Sequence, residues 1–536
     1  MAEPLGRREF LAAAVLLSST ALDLDAAAAE VSATATATDG VTELSVSELT
    51  RLLDSGALSA VALTQRFLER IERLDKRGPA VNAVIDLNPD AQAIAAARDA
   101  ERKAGVRRGA LHGIPILIKD NVDTADKLKT SAGSFALTTS VPLRDAPLVA
   151  QLRMAGAVLI GKTNLSEWAN FRSTRATSGW SARGGLTKNP HVLNRNTSGS
   201  SSGTAAGVAA GFAPLGIGTE TDGSIISPSA VCGIVGIKPT LGLISRSGIV
   251  PIAVSQDTAG PMARTVSDAA ILLGALTASD AGDGATNSAG RRVERDYSKF
   301  LDRTALAKAR IGVPRDLAGF HPEVDRALDE AIAALKAAGA VVLDGLKLGP
   351  TERMDEAEQQ VLLYEFKAGV EAYLAGRGPA SPLKTLADLL VFNEGERARE
   401  MPFFGQELFE QAWQKGPLSE PAYRAARARC VQLSRAEGLD RLFGKHALDA
   451  VICPSNPPAW LTDLTSGDHV IGGNTSFAAV SGYPSITVPM GMTHELPLGL
   501  SFVGRPWGEG RLISLAYAFE QQTLARRPPR FLSTVD

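Results

Sequence analysis

Ser198-Gly199-Ser200-Ser201-Ser202-Gly203 and Gly218-Thr219-Glu220-Thr221-Asp222-Gly223-Ser224-Ile225 are the two segments on which the fold and chemistry of this chain turn. Both fall inside Asn196–Gly242, a stretch dense in glycine and serine. A flexible linker carries the same bias, but linkers avoid the runs of Ala, Val, Leu and Ile interleaved here, which need burial. A phosphate-binding loop is excluded, because neither Gly-x-x-x-x-Gly-Lys-Ser/Thr nor a clean Gly-x-Gly-x-x-Gly occurs. Gly199-Ser200-Ser201-Ser202-Gly203 does fit the Gly-x-Ser-x-Gly pattern of a nucleophile elbow, with Ser201 as nucleophile. That elbow follows a buried strand directly, whereas Asn194-Arg195-Asn196-Thr197 is polar and turn-forming.

Outward from this stretch, helical and strand patterns alternate. Ile114–Ile118 is a short apolar run suited to a buried strand. Ala146–Ala155 reads as a helix that stops at Gly156, with a strand at Ala157–Ile160. Thr204–Ala210 reads as a small-residue helix, with the apolar segment Phe212–Ile217 after it. Pro322 opens a helix that ends near Gly339, as Pro at the first turn and Gly past the end suggest, and a strand is expected at Ala340–Leu343. Further buried strands are expected at Leu448–Ile452, Ser485–Val488 and Leu500–Val503. Ser45-Val46-Ser47-Glu48 is a capping box, a second helix follows Ser59, and the Ala-rich stretch Ala91–Ala104 is a third. This alternation is that of an α/β layered protein. Residues 350–430 read instead as polar-faced helices, a helical excursion placed as a cap over the site. No fixed-period repeat is present, and no long linker divides the chain after residue 40, so residues 41–536 are read as one globular unit.

Of 536 residues, 45% are hydrophobic and 21% charged, with a formal charge of −2. That near-neutral balance lacks the basic footprint of a nucleic-acid binder. No apolar run reaches the ~18 residues of a membrane span. The N-terminus is distinctive: Gly6-Arg7-Arg8-Glu9-Phe10-Leu11 precedes the apolar stretch Leu11–Leu17 and then Ala26-Ala27-Ala28-Ala29. A charged start, a short apolar segment and small residues form an export signal, and the paired arginines resemble the twin-arginine type. Residues 1–40 are therefore expected to be a removable tail that directs the chain to the periplasm or outside the cell. Cys232, Cys430 and Cys453 are scattered and allow at most one disulfide. The six histidines form no His-x-x-x-His pair, so neither metal nor cofactor is expected.

With Cys232-Gly233-Ile234-Val235-Gly236-Ile237-Lys238-Pro239-Thr240 added, the two opening segments resemble the amidase signature. Flanking segments strengthen the resemblance: Leu111-His112-Gly113-Ile114-Pro115 leading into Lys119-Asp120-Asn121, Gly161-Lys162-Thr163-Asn164-Leu165-Ser166-Glu167, and Gln256-Asp257-Thr258-Ala259-Gly260-Pro261-Met262. The similarity runs from about residue 45 to 525 and is strongest from 110 to 275. Within the family, Glu220–Ser224 and Trp168-Ala169-Asn170-Phe171-Arg172-Ser173 are most similar to the bacterial peptide amidases, which deamidate peptide C-termini. The resemblance implies a single large α/β domain with a mixed β-sheet core flanked by helices. It also implies serine-dependent hydrolysis of a carboxamide to acid and ammonia, on a small-molecule or peptide amide, with no cofactor. Aryl acylamidase or oligoamide hydrolase activity is the nearer alternative. An amidotransferase subunit that uses glutamine, or a catalytically silent binding protein, stands further off.

Carried over residue by residue, the family's nucleophile falls on Ser224. Its bridging serine, preceded by a cis peptide bond, falls on Ser200, and its lysine on Lys119. A serine hydroxyl is a weak nucleophile until a neighbouring base takes its proton, and no histidine lies in the motif. A lysine at the end of an apolar strand is partly desolvated, which favours the neutral amine. By that argument alone Lys119, Lys162 and Lys238 are equal, since all follow apolar runs; the resemblance selects Lys119 and leaves the other two as strand-end lysines reaching solvent. The consecutive N–H groups of Thr221, Asp222, Gly223 and Ser224 are candidates for an oxyanion site. Ser201 and Ser202 read as structural hydrogen-bonders and His112 as a packed histidine. Many family members carry two glycines before the nucleophile and an arginine two positions after it; here those positions hold Asp222 and Ile226.

Overall fold

The computed structural model describes residues 40–288, 293–349 and 352–535. The expected export signal lies outside the described residues. From Ser45 onward the chain forms one compact unit. Its centre is a mixed sheet of eleven strands in the order β1-β3-β2-β6-β8-β7-β12-β13-β11-β9-β10. The strands are β1 (Val84–Leu87), β2 (Pro115–Lys119), β3 (Val158–Thr163), β6 (Leu215–Glu220), β7 (Val235–Lys238), β8 (Thr258–Ala263), β9 (Arg310–Pro314), β10 (Val341–Leu346), β11 (Ala450–Pro454), β12 (Ser485–Thr493) and β13 (Leu496–Val503). A small separate hairpin pairs β4 (Trp180–Ser181) with β5 (Gly185–Leu186). The single α/β domain with a mixed sheet is thus as the sequence implied.

What positions the site is the parallel trio β3-β2-β6. β2 is buried along its whole length, which explains its unbroken Ile-Leu-Ile run: a parallel strand is covered on both faces. Ile118 is paired with Ile217, so Lys119 emerges next to the last residues of β6. A crevice at the carboxyl ends of parallel strands is where open α/β sheets place their ligands. The helix Ser202–Ala209 leads into β6 and is wholly buried. Its small residues are dictated by proximity: a Cβ on Gly203 would meet the Ala83 carbonyl oxygen at 2.3 Å and that of Asn164 at 2.5 Å.

Several expected elements stand where the sequence placed them. Ser45 and Glu48 form the reciprocal capping box of helix Val46–Asp54, Ser59 caps Ala60–Arg70, and Pro322–Ala337 is a helix. The apolar segment Phe212–Ile217 becomes strand only from Leu215, because Phe212 still closes the preceding turn onto Gly207 and Pro214 has no N–H to give. β1, β8 and β9 were not foreseen. Residues 352–446 are mainly helices, of which Glu352–Gly376 is the longest. Phe366 and Phe409 of these helices pack with Trp168, Phe171 and Ile252, whose loops border the site.

Candidate active site

Lys119 is fully buried. Its Nζ lies 2.7 Å from Ser200 Oγ and 2.9 Å from Thr219 Oγ1. The side-chain amide of Asn121 also donates to Thr219 Oγ1, at 2.9 Å, so Thr219 is the post against which the lysine is held. Burial pushes the Lys119 amine well below its usual range, against the opposing charges of Glu220 and Asp257. A lysine in this state is a base rather than a permanent cation.

Ser200 follows a cis peptide bond from Gly199. The loop that carries it is fixed by its neighbours rather than by its own length. Ser201 Oγ donates to the Thr219 carbonyl at 3.0 Å and accepts from the Thr219 N–H at 3.2 Å. Ser202 Oγ donates to the Ser198 carbonyl, and the Ser200 carbonyl accepts from the Ser166 N–H at 3.1 Å. Ser201 and Ser202 therefore have the structural role expected of them. The Ser201 N–H donates to the Ser224 carbonyl at 3.1 Å, which seats the second segment on the first.

Beyond β6 the chain turns through Thr221, Asp222, Gly223 and Ser224 into the short helix Ile226–Val231. Gly223 has φ +76°, a conformation that excludes ordinary side chains, and a Cβ there would also crowd the Thr475 hydroxyl at 3.0 Å. None of the backbone N–H groups of Thr221, Asp222, Gly223 or Ser224 donates to another described residue. Consecutive amides left without an acceptor in one turn are the material from which anion-binding sites are made. The turn is tied from outside. Glu220 Oε2 accepts from the Ile225 and Ile226 N–H groups at 2.8 and 3.0 Å. Thr221 Oγ1 donates to Asp257 Oδ1 at 2.6 Å, and Asp257 Oδ2 accepts from the Ile252 and Ala253 N–H groups. Burial raises Asp257 to about 6 despite these donors. Ser224 keeps 7% of its surface, enough for a small group to reach it.

The structure thus sets Lys119 against Ser200 and seats the Thr221–Ser224 turn on the loop that carries Ser200. It departs from the sequence on the other two lysines, which do not reach solvent. Lys162 and Lys238 are both fully buried. Lys162 lies among Asp120, Asp123 and Thr130, donating to Thr130 Oγ1 at 2.9 Å. Lys238 faces Glu220, Glu509 and Asp222, and burial lowers it to about 8. The apolar runs before them continue into a closed interior rather than toward an edge, so buried carboxylates compensate each charge. His112 is packed as expected, with its ring nitrogens on the Arg108 N–H and the Arg98 carbonyl. Sequence reasoning did not single out Thr219, Asp257, Gln256 or Glu358 as neighbours of the site. A signal was present for two of them: Gln256-Asp257 lies in Ser255–Thr258, four polar residues between apolar runs that would need partners.

The chain is similar to known amidases along most of its length. The family model Amidase matches residues 62–513. The "Probable amidase" of Arabidopsis thaliana is 39% identical over 505 residues, covering 92% of this chain and 93% of its own. The A subunit of the glutamyl-tRNA(Gln) amidotransferase of Symbiobacterium thermophilum is 36% identical, over 90% of this chain and 97% of its own. Among solved structures, the native peptide amidase of Stenotrophomonas maltophilia superposes with a TM-score of 0.87 at 49% identity, over 91% of this chain and 99% of that one.

Proposed function

The chain belongs to the amidase family and is an amide-hydrolysing enzyme, and from that premise we propose that it deamidates peptide C-termini through an acyl-enzyme on Ser224. The observation that carries the reading is the 2.7 Å contact between a fully buried Lys119 amine and Ser200 Oγ, beside a turn of unengaged amides that ends on Ser224. Neutral Lys119 draws a proton from Ser200 as Ser200 draws one from Ser224. The freed Ser224 oxygen attacks the carboxamide carbon. The negative charge that develops on the carbonyl oxygen meets the N–H groups of the Thr221–Ser224 turn, already oriented and partly shielded from water. The proton returns through Ser200 to the leaving nitrogen, and ammonia departs. Water then repeats the path in reverse order of bonds, releasing the acid and restoring Ser224.

Peptide C-terminal amides are preferred over aryl or simple aliphatic amides because of the 48–49% identity to peptide amidase structures. One of those structures holds the competitive inhibitor chymostatin. The Arg7-Arg8 signal adds the proposal that the enzyme works outside the cytoplasm. The test is ammonia release from an amidated dipeptide by the purified protein and by Ser224→Ala. Release by the wild type alone supports both substrate class and nucleophile. Release from aryl or aliphatic amides but not from the dipeptide overturns the peptide reading, and release by Ser224→Ala overturns the mechanism.

A further inference from the structure

The helix Glu352–Gly376 sends one carboxyl group to the catalytic turn. Glu358 is 6% exposed. Its Oε1 accepts from Gln256 Nε2 at 2.6 Å, and the same nitrogen donates to the Thr221 carbonyl at 3.3 Å. The Glu358 carboxyl also lies in hydrogen-bonding contact with the Asp222 carboxyl. Asp222 Oδ1 is shut off from solvent and has no donor among the described residues while both carboxyls act only as acceptors. On its other side the Thr475 and Ser476 hydroxyls face Asp222.

Two carboxylates in contact, Glu358 buried and Asp222 half-buried with its Oδ1 shut off, strongly disfavour two charges at once. One proton between them resolves this and supplies the missing donor. The groups facing the pair favour Glu358 as its holder. Lys238 faces Asp222 and stabilises its negative form. Glu358 faces Asp222 and Asp355, both of which disfavour a charge on it, with the Gln256 amide opposing them. The Cys430 thiol beside Glu358 is itself raised by burial to about 12 and brings no cation.

We infer that Glu358 is a positioning residue for amide hydrolysis: as a carboxylic acid it donates a hydrogen bond to Asp222, and with Gln256 it fixes the Thr221–Ser224 turn in the orientation that receives the oxyanion. The inference rests on the assignment of Ser224 and its turn made above. It gives Asp222, which stands where many family members have glycine, a partner on the helical excursion. The proton leaves as pH rises. Two adjoining carboxylates then repel, the turn shifts, and turnover declines on the alkaline side.

The test compares wild type, Glu358→Gln and Glu358→Leu across neutral to alkaline pH. Two rates are read: amide hydrolysis, and labelling of Ser224 by a fluorophosphonate probe, which needs no amide substrate. Glu358→Gln places an amide N–H where the acid O–H was. It is expected to keep kcat near wild type at neutral pH and to lose the alkaline decline in both rates. Glu358→Leu is expected to lose kcat by roughly 100-fold, the scale of a ~1 Å misplacement of reacting groups, with KM little changed and a native circular dichroism spectrum. An alkaline decline that persists unchanged in Glu358→Gln, or a Glu358→Leu protein with wild-type kcat, overturns the positioning role alone. Failure of the probe to label Ser224 in a protein that hydrolyses amides overturns the catalytic assignment and this inference with it.

Discussion

Thr221→Val removes one oxygen from the wall of the catalytic turn and leaves its shape. In the wild type that oxygen donates to Asp257 Oδ1 at 2.6 Å, with both residues buried. A hydrogen bond to a charged partner contributes about 1.5–3 kcal/mol, and its loss leaves a buried acceptor under-satisfied. Asp257 keeps the Ile252 and Ala253 N–H groups, so the deficit is confined to Oδ1 and to the hold on Thr221. If that hold serves mainly to aim the turn's amides, the deficit appears in the transition state. At about 1.4 kcal/mol per factor of ten, it lowers kcat by roughly 10- to 140-fold. The assay is ammonia release at pH 8, where a group raised to about 6 is ionised and the bond is charge-assisted. Urea unfolding is followed on the same protein. Thr221→Ser restores the donor and is expected to restore kcat. Should Thr221→Val keep wild-type kcat while its unfolding free energy falls by about 1.5–3 kcal/mol, the bond would serve the fold alone, and orientation of the turn by Asp257 would be refuted.

Asp257→Asn carries two further consequences. The Asp257 charge supports the proton on Lys119, so its removal favours the neutral amine; the acid limb of the kcat profile moves to lower pH, and an unmoved limb contradicts Lys119 as the base. Asp257 is raised in the folded state, from 3.8 to about 6. The native state therefore holds this proton more tightly, and its contribution to stability declines as pH rises from 3.8 to about 6. The unfolding free energy of wild type minus that of Asp257→Asn should fall across that window, and a flat difference removes the linkage. Lys162→Met removes the buried ammonium that donates to the Val122 carbonyl and Thr130 Oγ1, while Asp120 and Asp123 keep Arg183 and Arg377; it is expected to destabilise by about 1–3 kcal/mol, read from the denaturation midpoint, and an unchanged midpoint would show that those bonds add nothing to the fold. Gly203→Ala drives a methyl into two carbonyl oxygens. Overpacking of this kind costs about 1–3 kcal/mol or more, so soluble expression and unfolding midpoint both drop, whereas an unchanged midpoint would show that the helix Ser202–Ala209 moves freely on the sheet.

How much of this was legible beforehand depended on whether the cause of a feature was local. The capping box at Ser45–Glu48 and the run Ile114–Ile118 declare themselves within a few residues, and they were found. β8 did not declare itself, because Gly260 and Pro261 read as breakers in a strand that lies near the middle of the sheet. The ladder with β7 covers only Ala263 and Met262, so the absent N–H of Pro261 loses no rung there, and the sequence does not contain that fact. The lysines separate the two kinds of information most clearly. Lys119, Lys162 and Lys238 have similar local sequence: Lys119 and Lys238 end buried strands, and Lys162 is the last residue but one of a third. Their fates differ through residues distant in the chain: Ser200 and Thr219 for Lys119, Thr130 and two aspartates for Lys162, Glu220 and Glu509 for Lys238. Desolvation makes all three weaker acceptors of protons, but only Lys119 is set against a serine hydroxyl. A buried lysine becomes a base by what it touches, and contact is set by the pairing of β2 with β6, which no local pattern in either strand specifies.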